Sequence, residues 1–291
     1  MQGKIYKGIG SFYTVKSQGQ EYTCKARGRF RKDRITPVVG DVVEFVEEKT
    51  GHSFITDILP RKNILIRPAA ANIDKLIIVM SASAPHPDFL LVDKLTLTCE
   101  KLKIEPVLVI NKCDTDDGTA ECIEREYACT GYKIYRTSAK KNIGIEALRE
   151  EMKGKVSCFS GQSAVGKSSI LNALMPDLNL ETGDLSRKTE RGKHTTRHAQ
   201  LWETEGGGAV LDTPGFSLLE HMIADPSELR TLYPEMKLAS DECRFTGCVH
   251  IKEPDCAVKS LVADGKMSQG RYDRYVVLYN EVLELFKHRY D

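Results

Sequence analysis

The chain has 291 residues, 41% hydrophobic and 29% charged, with 42 Lys/Arg against 41 Asp/Glu for a net charge of +1. That length exceeds one ordinary hydrophobic core, and that composition excludes a disordered, collagen-like or fibrous chain, leaving two or three domains that fold in water. The longest aliphatic run, residues 76–80, is too short to span a bilayer, and the opening MQGKIYKGIG has no apolar signal-peptide core; a cytoplasmic protein without membrane attachment is expected.

Charge divides unevenly along the chain: residues 1–68 carry 13 Lys/Arg against 7 Asp/Glu, a local +6 that is densest in KARGRFRKDR at 25–34. A positive face on one small domain is the footprint of phosphate-backbone binding. Residues 4–16, 20–28, 42–47 and 53–59 are short runs rich in β-branched and aromatic residues, divided by Gly, Asp and Lys turns. With no helical period among them they predict an all-β OB-like barrel, a fold that commonly binds nucleic acid. RPAAAN at 67–72 reads as the linker out of it.

Apolar strands at 75–81, 106–110, 133–136, 156–160, 198–202 and 209–211 then alternate with helices at 88–101, 120–129 and 144–152. This is the pattern of a mostly parallel sheet covered on both faces. Past Phe216 the alternation stops, cysteines cluster, and 268–288 reads as one long helix whose Tyr275, Leu278, Val282 and Leu285 form an apolar stripe. The expected multidomain division is an OB-fold-like RNA-binding domain at 1–68, an α/β P-loop domain at 69–220, and a mostly α metal-binding domain at 221–291.

GQSAVGKS, comprising Gly161, Gln162, Ser163, Ala164, Val165, Gly166, Lys167 and Ser168, fits the P-loop spacing and lies between a strand and a helix that begins with Ser169 close behind. Glycines let backbone N–H groups wrap a phosphate, Lys167 reaches the β- and γ-phosphates, and the Ser168 hydroxyl can ligate Mg²⁺. NKCD follows the strand at 106–110. Asp114 can accept from the ring N–H and exocyclic amine of guanine, a pair that adenine lacks on that edge, while Asn111 and Lys112 flank it. TSAK ends the next strand, where Ser138, Ala139 and Lys140 would close on the base: the Ala139 N–H is placed to donate to the guanine carbonyl, and Lys112 to lie along the base plane. LDTPG brings Asp212, a Mg²⁺ holder through water, and Gly215, whose amide can sense the γ-phosphate. Upstream, RKTERGKHTTRH at 187–198 reads as a switch loop in which Thr195 or Thr196 closes on Mg²⁺.

NKCD and TSAK precede the P-loop, and DTPG comes last, so the P-loop domain is circularly permuted. In a doubly wound sheet every ligand loop lies at the carboxyl edge, and rewiring the connections changes chain order without moving the site. Cys243, Cys248, His250 and Cys256 give C-x4-C-x-H-x5-C, a donor set suited to one closed, structural Zn²⁺ site. Arg244, Lys252 and Lys259 surround it as candidate phosphate contacts. The permuted order, the OB-like N-terminal domain, the GKHTTRH segment and the Cys/His cluster together resemble the ribosome small subunit-dependent GTPase A family, RsgA, over essentially the whole chain. The resemblance implies a cytoplasmic bacterial GTPase that binds the small ribosomal subunit late in its maturation, is stimulated by it, and leaves after hydrolysis.

Phe216 follows DTPG where many P-loop GTPases carry a water-orienting glutamine, so slow intrinsic hydrolysis is expected until a partner acts; His221 is a nearby lone histidine. The expected ligands are GTP/GDP, Mg²⁺ and one Zn²⁺; the expected partners are the small subunit and its rRNA, bound by a monomer. An RNA-binding assembly module in which GTP is a slowly hydrolysed ligand is the alternative, and substituting Lys167 and Ser168 separates the two. A P-loop kinase would need a phosphoacceptor pocket that no motif supplies, and Asp114 opposes ATP.

Overall fold

Glycine 10 breaks the run at 4–16 into a hairpin, β1 (Gln2–Ile9) and β2 (Phe12–Ser17). Its φ of 60° sits at the first central position of a two-residue turn between paired Ile9 and Phe12, where a type II′ turn demands positive φ. The computed structural model describes residues 1–27, 30, 35–48, 52–66, 68–178, 199–212 and 225–288. Strands β3 (Gln20–Ala26), β4 (Val42–Val46) and β5 (Ser53–Ile58) complete the N-terminal unit. β3 pairs parallel with β5, β4 antiparallel with β5, and β1 antiparallel with β4, which closes a five-stranded barrel. Ile5, Val15, Cys24, Val43, Phe45 and Ile55 fill its interior. Alternation of buried and exposed positions along β2 and β4 is what the pleat of a one-face-buried strand requires.

Within the segment read as a linker, residues 70–72 are pinned. Ala70–Ala71 forms β7 against β6 (Ile64–Leu65), and Asn72 accepts from the Lys62 N–H at 2.8 Å while donating to the Gly40 carbonyl at 3.0 Å. Alanine carries no side chain large enough to signal burial, so the segment looks like a spacer in sequence.

Strands β8 (Lys75–Ser81), β9 (Glu105–Asn111), β10 (Lys133–Arg136), β11 (Val156–Ser160), β12 (Gln200–Glu203) and β13 (Ala209–Asp212) form the second unit. Their order is β10-β9-β8-β11-β13-β12, all parallel except β12, and β12 pairs with β1 to join the barrel in one sheet. Every residue of β8 is buried, as a central strand covered on both faces requires. Helices α1 (Phe89–Leu102), α2 (Thr119–Tyr127), α3 (Ile145–Met152) and α4 (Lys167–Leu174) lie between the strands. Asp88 caps α1, accepting from the Leu91 N–H at 3.0 Å.

At the amino edge of this sheet, Glu151 accepts from Lys75 and Tyr135, both at 2.6 Å, and from Lys133 at 2.9 Å. Burial opposes its charge, but these bonds outweigh burial and hold its carboxyl down to about 2. The unfolded chain protonates near the ordinary glutamate value, so the stabilisation is complete above about pH 4.5 and is lost as pH falls toward 2, about 2–3 kcal/mol in all. Glu151→Gln should lower stability at neutral pH by that order and flatten the acid limb; denaturant titrations from pH 2 to 7 that superimpose for the two proteins would contradict it.

The C-terminal unit holds α5 (Pro226–Leu229), α6 (Pro234–Ser240), α7 (Ala257–Ala263) and α8 (Gln269–Lys287). Tyr275, Leu278 and Val282 of α8 are buried as expected, whereas Leu285 is 57% exposed: the helix outruns the module it packs on. Among the described residues no helix is long and apolar enough to cross a membrane.

Candidate functional site

Strands β9, β10 and β11 run parallel, so the loops after Asn111, Arg136 and Ser160 emerge on one edge. Asn111 ties all three loops together. Its Nδ2 donates to the Val165 carbonyl at 2.9 Å, and its Oδ1 accepts from the Ala139 N–H at 3.2 Å and the Thr137 hydroxyl at 3.3 Å. Asn111 thus braces the three loops from a buried position, and the Ala139 amide expected on guanine is engaged with it. The spacing of NKCD locates Asn111 but cannot show this, because both partners belong to other loops.

Asp114 is exposed at the same sheet edge and accepts from the Ser138 hydroxyl at 2.6 Å. That bond, the largest influence, holds its carboxyl below the ordinary aspartate value, so it is an acceptor-only carboxylate. Lys112 Nζ donates to the Ala164 carbonyl at 2.9 Å and the Ala84 carbonyl at 2.7 Å, joining the P-loop to the segment after β8. Lys140 follows in the same loop.

The P-loop wraps tightly at two glycines. A Cβ on Gly161 would meet the Val79 carbonyl oxygen at 2.2 Å, and one on Gly166 would meet Asn111 Nδ2 at 2.3 Å, so both positions exclude any side chain. Ala164 takes φ 64°, left-handed for a residue with a Cβ. Lys167 opens α4, with Ser168 and Ser169 behind it in the first turn. Its Nζ donates to the carbonyls of Gly161 at 2.8 Å and Gln162 at 2.6 Å, and burial lowers its pKa. Asp212 ends β13, backbone-paired with Gln200, and only its backbone is described. Thr195, Thr196, Gly215, Phe216 and His221 lie outside the described residues.

The sulfurs and ring nitrogen of Cys243, Cys248, His250 and Cys256 all lie within 4.8 Å of one another. Donors about 2.0–2.3 Å from a tetrahedral ion stand roughly 3.3–3.8 Å apart; His250 Nδ1 is 3.6 Å from Cys243 Sγ and 3.4 Å from Cys256 Sγ. The Ser240 hydroxyl donates to the Met236 carbonyl at 2.7 Å and therefore accepts from His250 Nε2–H at 3.2 Å, leaving the Nδ1 lone pair aimed at the sulfurs. Burial keeps His250 below its usual pKa and pushes the Cys248 thiol up to about 12, so a bound cation is what would make thiolates here. The cluster is compatible with zinc. Of the surrounding cations, Arg244 pairs with Asp255 and Lys259 donates to the Glu253 carbonyl.

Residues 58–222 match the family model described as RsgA GTPase, and residues 2–55 that of the RsgA N-terminal domain. The small ribosomal subunit biogenesis GTPase RsgA of Ruminiclostridium cellulolyticum is 45% identical over 289 residues, covering 97% of this chain and 94% of that protein. The chain belongs to the RsgA GTPase family. An RsgA of Geobacillus sp. is likewise 45% identical, over 97% of this chain and 98% of its own. Among solved structures, YjeQ from Thermotoga maritima superposes with a TM-score of 0.84 at 37% identity, covering 97% of this chain and 98% of that one. YloQ, described as a circularly permuted GTPase, gives 0.82 at 36%, covering 98% and 95%. As an RsgA GTPase the protein is a GTP hydrolase, and its NKCD and TSAK loops precede its P-loop in the chain while meeting it at one sheet edge.

An Asp114→Asn change should lower GTP affinity about a hundredfold and raise that for XTP, because the amide donates to the xanthine 2-carbonyl where the carboxylate only accepts. Unchanged GTP affinity in a nucleotide titration would move the base elsewhere.

Proposed function

We propose that this RsgA GTPase acts in late maturation of the small ribosomal subunit, hydrolyses GTP to GDP and phosphate when stimulated by that subunit, and then leaves it. The observation that carries the reading is the Asn111 brace, which joins the guanine-reading and phosphate-binding loops into one pocket. The printed names of the relatives, small ribosomal subunit biogenesis GTPases, support the partner.

In this reading Lys167 and the amides of residues 161–166 stabilise charge growing on the γ-phosphate. Asn111, Lys112 and Asp114, with Ser138, Ala139 and Lys140, select guanine. Gln162, Ser163, Ala164, Val165 and Ser169 shape the phosphate loop. Ser168, Thr195 and Asp212 would hold Mg²⁺, which supplies charge neutralisation between the phosphates, and the Gly215 amide senses the γ-phosphate. Phe216 has no group to orient water, so unstimulated turnover is slow. Cys243, Cys248, His250 and Cys256 would hold one structural Zn²⁺.

The division at 1–68, 69–220 and 221–291 assigns rRNA contact to the barrel and the zinc-bearing module of a cytoplasmic monomer. Supporting an RNA-facing barrel, Phe12 and His52 pack edge to face with centroids 5.0 Å apart, and Lys25 stands 4.8 Å over the Phe12 ring. An exposed aromatic beside cations is the platform on which an unpaired base stacks.

The test is steady-state GTP hydrolysis by the protein alone, with small ribosomal subunits and, separately, with large ones at matched salt. Stimulation of at least tenfold by small subunits alone is expected; equal rates in all three would refute the partner.

A further inference from the structure

Helix α1 belongs to two cores at once. Its Val92, Leu95 and Cys99 pack in the cluster that contains β8 and β9 side chains, while Leu97 is buried among Leu229, Tyr233, Met236, Tyr275 and Leu278 of the C-terminal module. Asp93, fully buried, accepts from Arg271 at 2.7 Å, Arg274 at 2.6 Å and the Tyr127 hydroxyl at 2.7 Å. Arg271 is also fully buried and pairs with Glu235 of α6. Further along α1, Lys94 pairs with Glu281 at 2.8 Å and Lys101 with Glu228.

Such a buried network adds little net stability, but separating its members strands a charge away from water. Helix α1 and the zinc-bearing module are therefore held to move as one body. At the other end of the same helix, the Asp88 N–H donates to Gln162 Oε1 of the P-loop at 3.3 Å, and Lys112 bridges Ala84 and Ala164.

We propose that Gln162 and Asp93 are positioning residues, and that α1 is a strut through which the zinc-bearing module sets the P-loop and bound nucleotide in turn tightens the module. The proposal rests on the reading above only in taking the partner's contact with that module as the physiological input. Coupling between two sites is reciprocal, so it is measurable without the partner.

The experiment is hydrogen exchange over α6 and α8, with and without saturating GDP or a non-hydrolysable GTP analogue. In the native protein, nucleotide should slow exchange there by about tenfold, within the usual range of coupling. With Gln162→Ala, at a nucleotide concentration that titration of the variant shows to be saturating, nucleotide should slow α8 by less than about twofold. Asp93→Asn should do the same; should it fail to fold, Lys94→Glu weakens the coupling and Lys94→Glu/Glu281→Lys restores it. No effect of nucleotide on α8 in the native protein, or a full effect in Gln162→Ala, overturns the strut. Absence of stimulation by small subunits would instead overturn the partner reading and leave these exchange results standing.

Discussion

Replacing Lys167 by alanine should lower kcat for GTP hydrolysis by about 10²–10³-fold, the usual cost of deleting one preorganised charge from a transition state. The side chain projects from the first position of α4 into its own loop, 2.8 Å from the Gly161 carbonyl and 2.6 Å from that of Gln162. Partial burial, which lowers its pKa, also raises the worth of its charge, because less water screens it. Charge accumulates on the transferring phosphoryl group, so the ammonium binds the transition state more strongly than bound GTP, and the loss appears in kcat. The fold should survive, because no apolar packing is removed. Single-turnover rates beside a melting curve decide it: a fall of less than tenfold with an unchanged melting temperature would take Lys167 out of the machinery.

Removing the proposed zinc, or Cys256→Ser, should produce the largest change in stability. Structural zinc contributes roughly 10–16 kcal/mol of apparent binding energy to small modules. Here Cys248 and Cys256 share a core with Tyr233, Met236, Val258, Tyr275 and Leu278, so loss of the ion leaves buried thiols and an imidazole inside that core without a cation. Exchange across 243–256 should accelerate by orders of magnitude, and α8 should loosen with it. Guanine nucleotide should still bind, several-fold weaker at most, because the bonds that hold the NKCD, TSAK and P-loop segments together are made among residues 84–167. Metal analysis should return one zinc per chain; none, or equal protection of 243–256 with and without chelator, would remove the site.

The two sites are legible in sequence to different depths. The Gly161–Ser168 loop and the grouping of Cys243, Cys248, His250 and Cys256 are read directly, since each set lies within a few turns of chain. The strands at 75–81, 133–136 and 156–160 fall where their apolar runs predict. The hairpin at Gly10 is missed because alternation continues across a two-residue turn, and the segment at Ala70 because alanine signals neither burial nor exposure. Asp93 reads as one acid on an amphipathic helix, yet its partner Arg271 lies 178 residues away.

Residue types and their covalent spacing therefore point to the guanine nucleotide, the permuted order of its loops and the Cys/His cluster, since these depend on groups a few bonds apart. The tertiary structure decides that Asn111 braces three loops, that Ser138 orients Asp114, that Ser240 sets the His250 tautomer, and that α1 is shared by two cores. Those are matters of burial and through-space distance, and both the cost of a buried charge and the worth of a hydrogen bond are set by neighbours that chain order does not name.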